Sequence, residues 1–233
     1  MEHTGDLSGE EAEQRGCLVL LRHGETQWSR SGQYTGRTDL PLVSDGREQA
    51  RAAGERLAAE FPQGFDEGYM FASPLSRAQE TAALAGFPGV RTFNDLVEWD
   101  YGRAEGRRPT QVAQMLGWGW DLWSDGPQSI DESLGGVWQA PLPEGGSVVV
   151  PGNSGESLQE VAERAMGLVR YAQPMVEAGH RVLFVAHAHI LRIVTTQWMG
   201  LDAAQAQRFR LDTAHYAVLS RYHGDNVLKA WNR

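Results

Sequence analysis

The sequence predicts an α/β domain of three layers, a mostly parallel sheet flanked by helices, with a lid loop inserted into it. Apolar runs at residues 18–21 and 181–186 have the length of buried strands and stop abruptly at polar residues. Segments with helical periodicity, at 45–60 and 158–178, lie between and before them. Strands that alternate with helices in this way form a parallel sheet covered on both faces.

In chain order, residues 1–16 carry many charges and almost no large apolar side chain, which predicts a disordered tail. A single domain over 17–233 follows, with the lid insertion at about 117–155. Cys17, the one cysteine, heads the first strand and reads as a core residue; one thiol excludes an internal disulfide framework. The run Leu18-Val19-Leu20-Leu21 ends in Arg22-His23-Gly24, at the edge where open α/β sheets place their ligands. Residues 27–41 lack periodicity and read as a loop over that strand end. A helix follows at 45–60, with Ser44 or Asp45 as its N-cap and Ala50, Ala53, Leu57 and Ala58 on its apolar stripe.

Residues 69–73 form a second strand, stopped by Pro74, and a helix from near Leu75 carries Arg77 in its first turn. A helix N-terminus already attracts anions, and an arginine there strengthens the site. A short third strand at 91–93 leads into a turn-rich segment holding Glu98. From 117 to 155 the tryptophans Trp118, Trp120, Trp123 and Trp138 stand among Gly, Pro, Ser and acids, and no basic residue occurs from 109 to 163. So much aromatic area predicts a folded lid rather than a linker. Ser157 and Glu160 have capping-box spacing and open a helix to about 178. The strand at 181–186 ends at His187-Ala188-His189, a helix follows at 190–199, and strands at 216–222 and 227–231 flank a turn at 224–226.

The net charge of −9 argues against nucleic-acid and membrane surfaces. No apolar run approaches the roughly 20 residues that span a bilayer, and the first residues lack a signal-peptide pattern, so a cytoplasmic protein is expected. With Lys229 the only lysine, an anion pocket must be built from arginines. Arg22, His23, Arg77 and His187 all follow strand ends, and parallel strands share one rim. Their convergence makes a phosphate site, with Glu98 as the carboxylate at hand to move a proton.

These residues carry a resemblance. Leu21-Arg22-His23-Gly24-Glu25-Thr26, Thr35-Gly36-Arg37-Thr38-Asp39, Ser73-Pro74-Leu75-Ser76-Arg77-Ala78, Glu98-Trp99-Asp100-Tyr101-Gly102 and His187, in this order, resemble the histidine phosphatase superfamily. They look most like its phosphatase branch, with bacterial acid phosphatases and sedoheptulose bisphosphatase. The resemblance implies a phosphoglycerate mutase-like fold, His23 as the nucleophile that becomes a phosphohistidine, and Glu98 as proton donor. Arg22, Arg77 and His187 would stabilise the phosphoryl oxygens. It also implies substrate contacts from Thr35, Gly36, Ser29 and Ala188. Ser29 stands where mutases of the family carry Asn, and Ala188 where Gly is usual.

No cofactor or metal is expected, since arginines and imidazoles neutralise the phosphate; the expected partner is a small phosphorylated metabolite, and a homodimer stays open. A rival function is that of a cofactor-dependent phosphoglycerate mutase. It needs extra positive charge, which Arg103, Arg107 and Arg108, just before the lid, would supply. A metal hydrolase would use His187 and His189 as ligands. A catalytically inactive phospho-ligand binder fits poorly with both His23 and Glu98 present. His3, His180, His215 and His223 read as surface or structural residues.

Overall fold

The computed structural model describes residues 15–233, so the expected tail at 1–16, except Arg15 and Gly16, lies outside the described residues. In chain order the elements are β1 (Cys17–Arg22), α1 (Gln27–Ser31), α2 (Ser44–Glu60), β2 (Met70–Ala72), α3 (Ser76–Leu84), β3 (Arg91–Thr92) and α4 (Pro109–Leu116). Then come β4 (Trp138–Pro141), β5 (Ser147–Val150), α5 (Leu158–Glu177), β6 (Arg181–Ala186), α6 (Ala188–Trp198), β7 (Tyr216–Tyr222) and β8 (Asp225–Ala230). The main sheet has the order β3-β2-β6-β1-β7-β8. β3, β2, β6 and β1 run parallel, whereas β7 is antiparallel to β1 and β8 to β7. The α/β fold with a mostly parallel sheet is therefore the one expected.

Alternation along the central strands divides the core in two. Leu18 and Leu20 of β1, with Val182 and Phe184 of β6, face Val161, Leu168, Ile190 and Val194 of α5 and α6. Val19 and Leu21, with Leu183 and Val185, face Ala53 and Leu57 of α2 and Ala78 and Ala82 of α3. Each large side chain so buried contributes about 1.5–3 kcal/mol. The small residues on α2 and α3 let those helices approach closely; a Cβ on Gly54 would lie 2.5 Å from the Ala85 carbonyl oxygen.

Several local expectations change. The segment at 27–41 is not all loop, because α1 forms there. Thr26 and Ser29 cap it reciprocally, and Gly32, at φ 78°, ends it. Five residues are too few to show periodicity. α2 starts at Ser44 behind Val43, without a side-chain cap. Asp45 pairs instead with Arg30 at 2.6 Å. α5 does begin at the Ser157–Glu160 capping box. The last hairpin turns at His223-Gly224, both at positive φ, so β8 starts at Asp225, two residues before the expected strand start at 227.

The insertion is not a long irregular segment: it contains the antiparallel hairpin β4–β5 and two short 3-10 turns. Trp120, Leu122 and Ile130 are buried in the main core. Ala140 and Val150 of the hairpin pack with Trp28 and Leu40. Trp118 stays exposed. Among the described residues no helix is long and apolar enough to cross a membrane.

Candidate active site

β1 and β6 are neighbours in register, Arg22 beside Ala186, so His23 and His187 leave the sheet side by side. Their ring centroids lie 5.1 Å apart at an angle of 60°. His23 is 4% exposed and its Nδ1 is 2.6 Å from the Gly24 carbonyl. A carbonyl only accepts, so Nδ1 carries the proton and Nε2 keeps its lone pair. Burial, then the charges of Arg77 and Arg22, push the His23 pKa well below 6.5, which keeps the ring neutral. Gly24 has no room for a side chain: a Cβ would stand 2.2 Å from the Gly46 carbonyl oxygen.

Arg22 is half-buried and donates from Nη1 to the Leu211 carbonyl at 2.7 Å. Its buried Nε has no partner among the described residues. Arg77, in the first turn of α3, is wholly buried. Its Nε–H donates to His187 Nδ1 at 3.1 Å, and its Nη groups donate to the carbonyls of Thr38 (2.9 Å), Thr35 (3.2 Å) and Gly36 (2.9 Å). A guanidinium only donates, so His187 Nδ1 accepts and its Nε2–H donates to Ser73 Oγ at 2.8 Å. Burial first, then Arg77, His23 and Arg22, hold the His187 pKa well below 6.5. Glu98 is 3% exposed and sits on the N-terminus of α6. It accepts from Trp99 N–H and Ile190 N–H at 2.9 Å each and from His189 N–H at 3.0 Å. Arg164 ties down the turn behind it through the carbonyls of Asp95, Val97 and Glu98.

The remaining named residues have other partners. The Thr35 hydroxyl donates to the Gln33 carbonyl, and Gly36 N–H donates to both carboxylate oxygens of Glu105. Ser29 spends its hydroxyl on the α1 cap. Ala188 is the first residue of α6. Arg103 donates to the Ile130 carbonyl at 3.0 Å, Arg107 lies 4.3 Å over the Trp138 ring, and Arg108 is exposed at the start of α4.

α6 starts at Ala188, two residues before the expected start, which puts His189 on its first turn. There His189 Nδ1 meets the Tyr101 hydroxyl at 2.5 Å and the ring lies against Trp123, away from the partners of His187. Among the described residues no group of three or more His, Cys, Asp or Glu is placed to hold a metal ion. The sequence motifs contain Ser73 and Tyr101 without a role for either, and Thr81 and Glu105 lie outside them. Thr81 accepts from Gly24 N–H at 2.9 Å. Membership of the quoted motifs was the signal for Ser73 and Tyr101, and Glu105 stands three residues beyond the Glu98 motif.

Comparison with known proteins agrees with this geometry. A family model described as the histidine phosphatase superfamily (branch 1) matches residues 18–233. An acid phosphatase of Mycobacterium tuberculosis is 34% identical over 207 residues, covering 89% of this chain and 87% of that protein. A sedoheptulose 1,7-bisphosphatase of Saccharomyces cerevisiae is 31% identical, covering 88% of this chain and 79% of that protein. Bacterial 2,3-bisphosphoglycerate-dependent phosphoglycerate mutases are similar as well, two of them at 30% and 35% identity. The solved structure of the product of a Mycobacterium tuberculosis open reading frame matches at TM-score 0.76 and 32% identity, over 93% of this chain and 97% of that one.

Proposed function

The chain belongs to the histidine phosphatase superfamily, branch 1, and on that premise we propose that it is a phosphomonoesterase. It hydrolyses a small phosphorylated metabolite through a phosphohistidine on His23. The observation that carries this is the His23 ring: Nδ1–H is bound to the Gly24 carbonyl, which leaves Nε2 free as a neutral nucleophile in a positive site.

Nε2 attacks phosphorus, the bond to the leaving oxygen breaks, and Glu98 gives that oxygen its proton. Water then attacks the phosphohistidine, Glu98 takes a proton from the water, and the N–P bond breaks to release inorganic phosphate. Arg22, next to His23 in the chain and held through one Nη by the Leu211 carbonyl, brings its guanidinium to the phosphate. Arg77 completes the positive side, and the neutral ring of His187 is held beside His23 by Arg77 and Ser73. The charge comes from side chains, so turnover needs no metal.

The mutase reading draws on the mutase relatives, but it needs cationic groups for a second phosphate. Arg103 and Arg107 are engaged with Ile130 and Trp138 of the insertion, which favours the phosphatase. The test compares p-nitrophenyl phosphate hydrolysis with 3-phosphoglycerate isomerisation in the presence of EDTA. Hydrolysis is expected to survive EDTA and to exceed isomerisation; dominant isomerisation would make the protein a mutase, and loss in EDTA would overturn the metal-free mechanism.

Glu98→Gln is expected to slow hydrolysis of an alkyl phosphate by about 10²–10⁴-fold. p-Nitrophenyl phosphate, whose leaving group needs little protonation, should lose far less in the phosphorylation step. Burst kinetics on both substrates read this difference, and equal losses would remove the proton-donor role.

A further inference from the structure

Glu105 has no part in the chemistry above, yet it is a carboxylate only 1% exposed. Its oxygens accept from Gly36 N–H at 2.9 and 2.8 Å and from Thr38 N–H at 2.9 Å. The same stretch turns its carbonyls the other way, Thr35, Gly36 and Thr38 all accepting from Arg77. The loop is thus clamped between an anion on its N–H side and a cation on its carbonyl side. Gly36 is what lets the clamp close, because a Cβ there would stand 2.5 Å from the Trp99 carbonyl oxygen and 2.7 Å from Glu105 Oε2. Three Arg77 donors go to the loop, and its Nε–H goes to His187.

We propose that Glu105 is a positioning residue: through the loop at 35–38 it sets the plane of the Arg77 guanidinium and, through Arg77, the ring of His187. The role rests on the phosphohistidine reading, since it acts on the residues that reading employs. Glu105 touches neither the nucleophile nor the phosphoryl group. Its carboxylate is a single fixed anchor for two loop amides and, through their carbonyls, for one arginine.

The groups that face Glu105 are Gly36 and Thr38 of the loop, Arg77 from α3 and Tyr101 from the turn before it; Glu98 and Asp39 act on Arg77 as well. Burial pushes the Glu105 carboxyl up to about 7, against the pull of Thr38 N–H, Gly36 N–H and Arg77. Protonation converts one oxygen into a donor that faces other donors, which loosens the clamp. Activity therefore falls as pH falls through about 7. The fold responds in the opposite sense: the folded chain holds this proton more tightly than an unfolded chain with a carboxyl at 4.5, so through this group acidification favours the folded state. Unfolding at Glu105 cannot be the source of that acidic limb.

The test is the pH profile of kcat/KM for p-nitrophenyl phosphate in the wild type, Glu105→Gln and His23→Ala. Glu105→Gln, with a donor among the amides, is expected to lose up to about 10²-fold in kcat. It should also lose the limb near 7, whereas titration of the substrate affects both proteins alike. A folded Glu105→Gln protein with wild-type kcat and an unchanged limb overturns the proposal. Should that variant not fold, Glu105→Asp and the wild type decide: a limb near 7 in the wild type that Glu105→Asp displaces supports the role, and a limb absent or unmoved overturns it. An active His23→Ala protein would instead defeat the phosphohistidine reading itself, whatever Glu105 does.

Discussion

Replacing His23 with Ala is expected to lower phosphatase turnover by about 10⁴–10⁶-fold and to abolish the covalent intermediate. The physical basis is that no other nucleophile stands in its place. His187 donates from Nε2 to Ser73 and accepts at Nδ1 from Arg77, so neither nitrogen of that ring is free. Rapid quenching with a ³²P-labelled substrate should trap an acid-labile, alkali-stable label on the wild type and none on the variant. Label of equal amount on His23→Ala would move the nucleophile elsewhere. The same substitution should change acid sensitivity. The folded protein holds His23 well below 6.5, so below that pH the unfolded chain binds a proton that the folded one refuses, and stability falls. The variant lacks this contribution, and its stability should decline less between pH 6.5 and the onset of acid unfolding.

Arg77→Ala is expected to remove both activity and a large share of stability. Four acceptors, three loop carbonyls and His187 Nδ1, depend on one wholly buried guanidinium. Each acceptor left buried without a donor costs about 1–3 kcal/mol, partly recovered if water enters, so a loss of about 3–5 kcal/mol is expected in urea unfolding. Glu105 would then face the loop amides without its counter-charge across the loop. Arg77→Lys should restore little, because an ammonium on a flexible stem cannot present four donors in one plane. A Lys variant with the wild-type unfolding midpoint and activity would show that charge alone suffices.

The candidate site was partly legible. Arg22 and His23 follow an apolar run that could only be a buried strand, and His187 follows another; a strand end is a local property of the chain. Glu98 was readable from its acid-and-aromatic turn. What the arginines and amides bind to was not. Gly36 lies 69 residues from Glu105 and 41 from Arg77, and His189 lies 88 from Tyr101. No periodicity in a window of a dozen residues contains such pairs.

By itself the sequence determined the strands and helices of the main layers, though not α1, α4 or the hairpin β4–β5, together with the capping box of α5, the two-faced core and the place where the histidines leave the sheet. The capping box follows from the Ser157–Glu160 spacing and the rest from side-chain polarity repeating at the period of a strand or a helix. Tertiary structure alone decided that Arg77 spends three donors on a loop, that Arg103 and Arg107 pack against the insertion, and that a buried carboxylate at Glu105 faces Gly36 and Thr38. Those outcomes depend on which buried polar group each donor meets once the layers have closed, because a group withdrawn from water must take whatever partner the packing brings within about 3 Å.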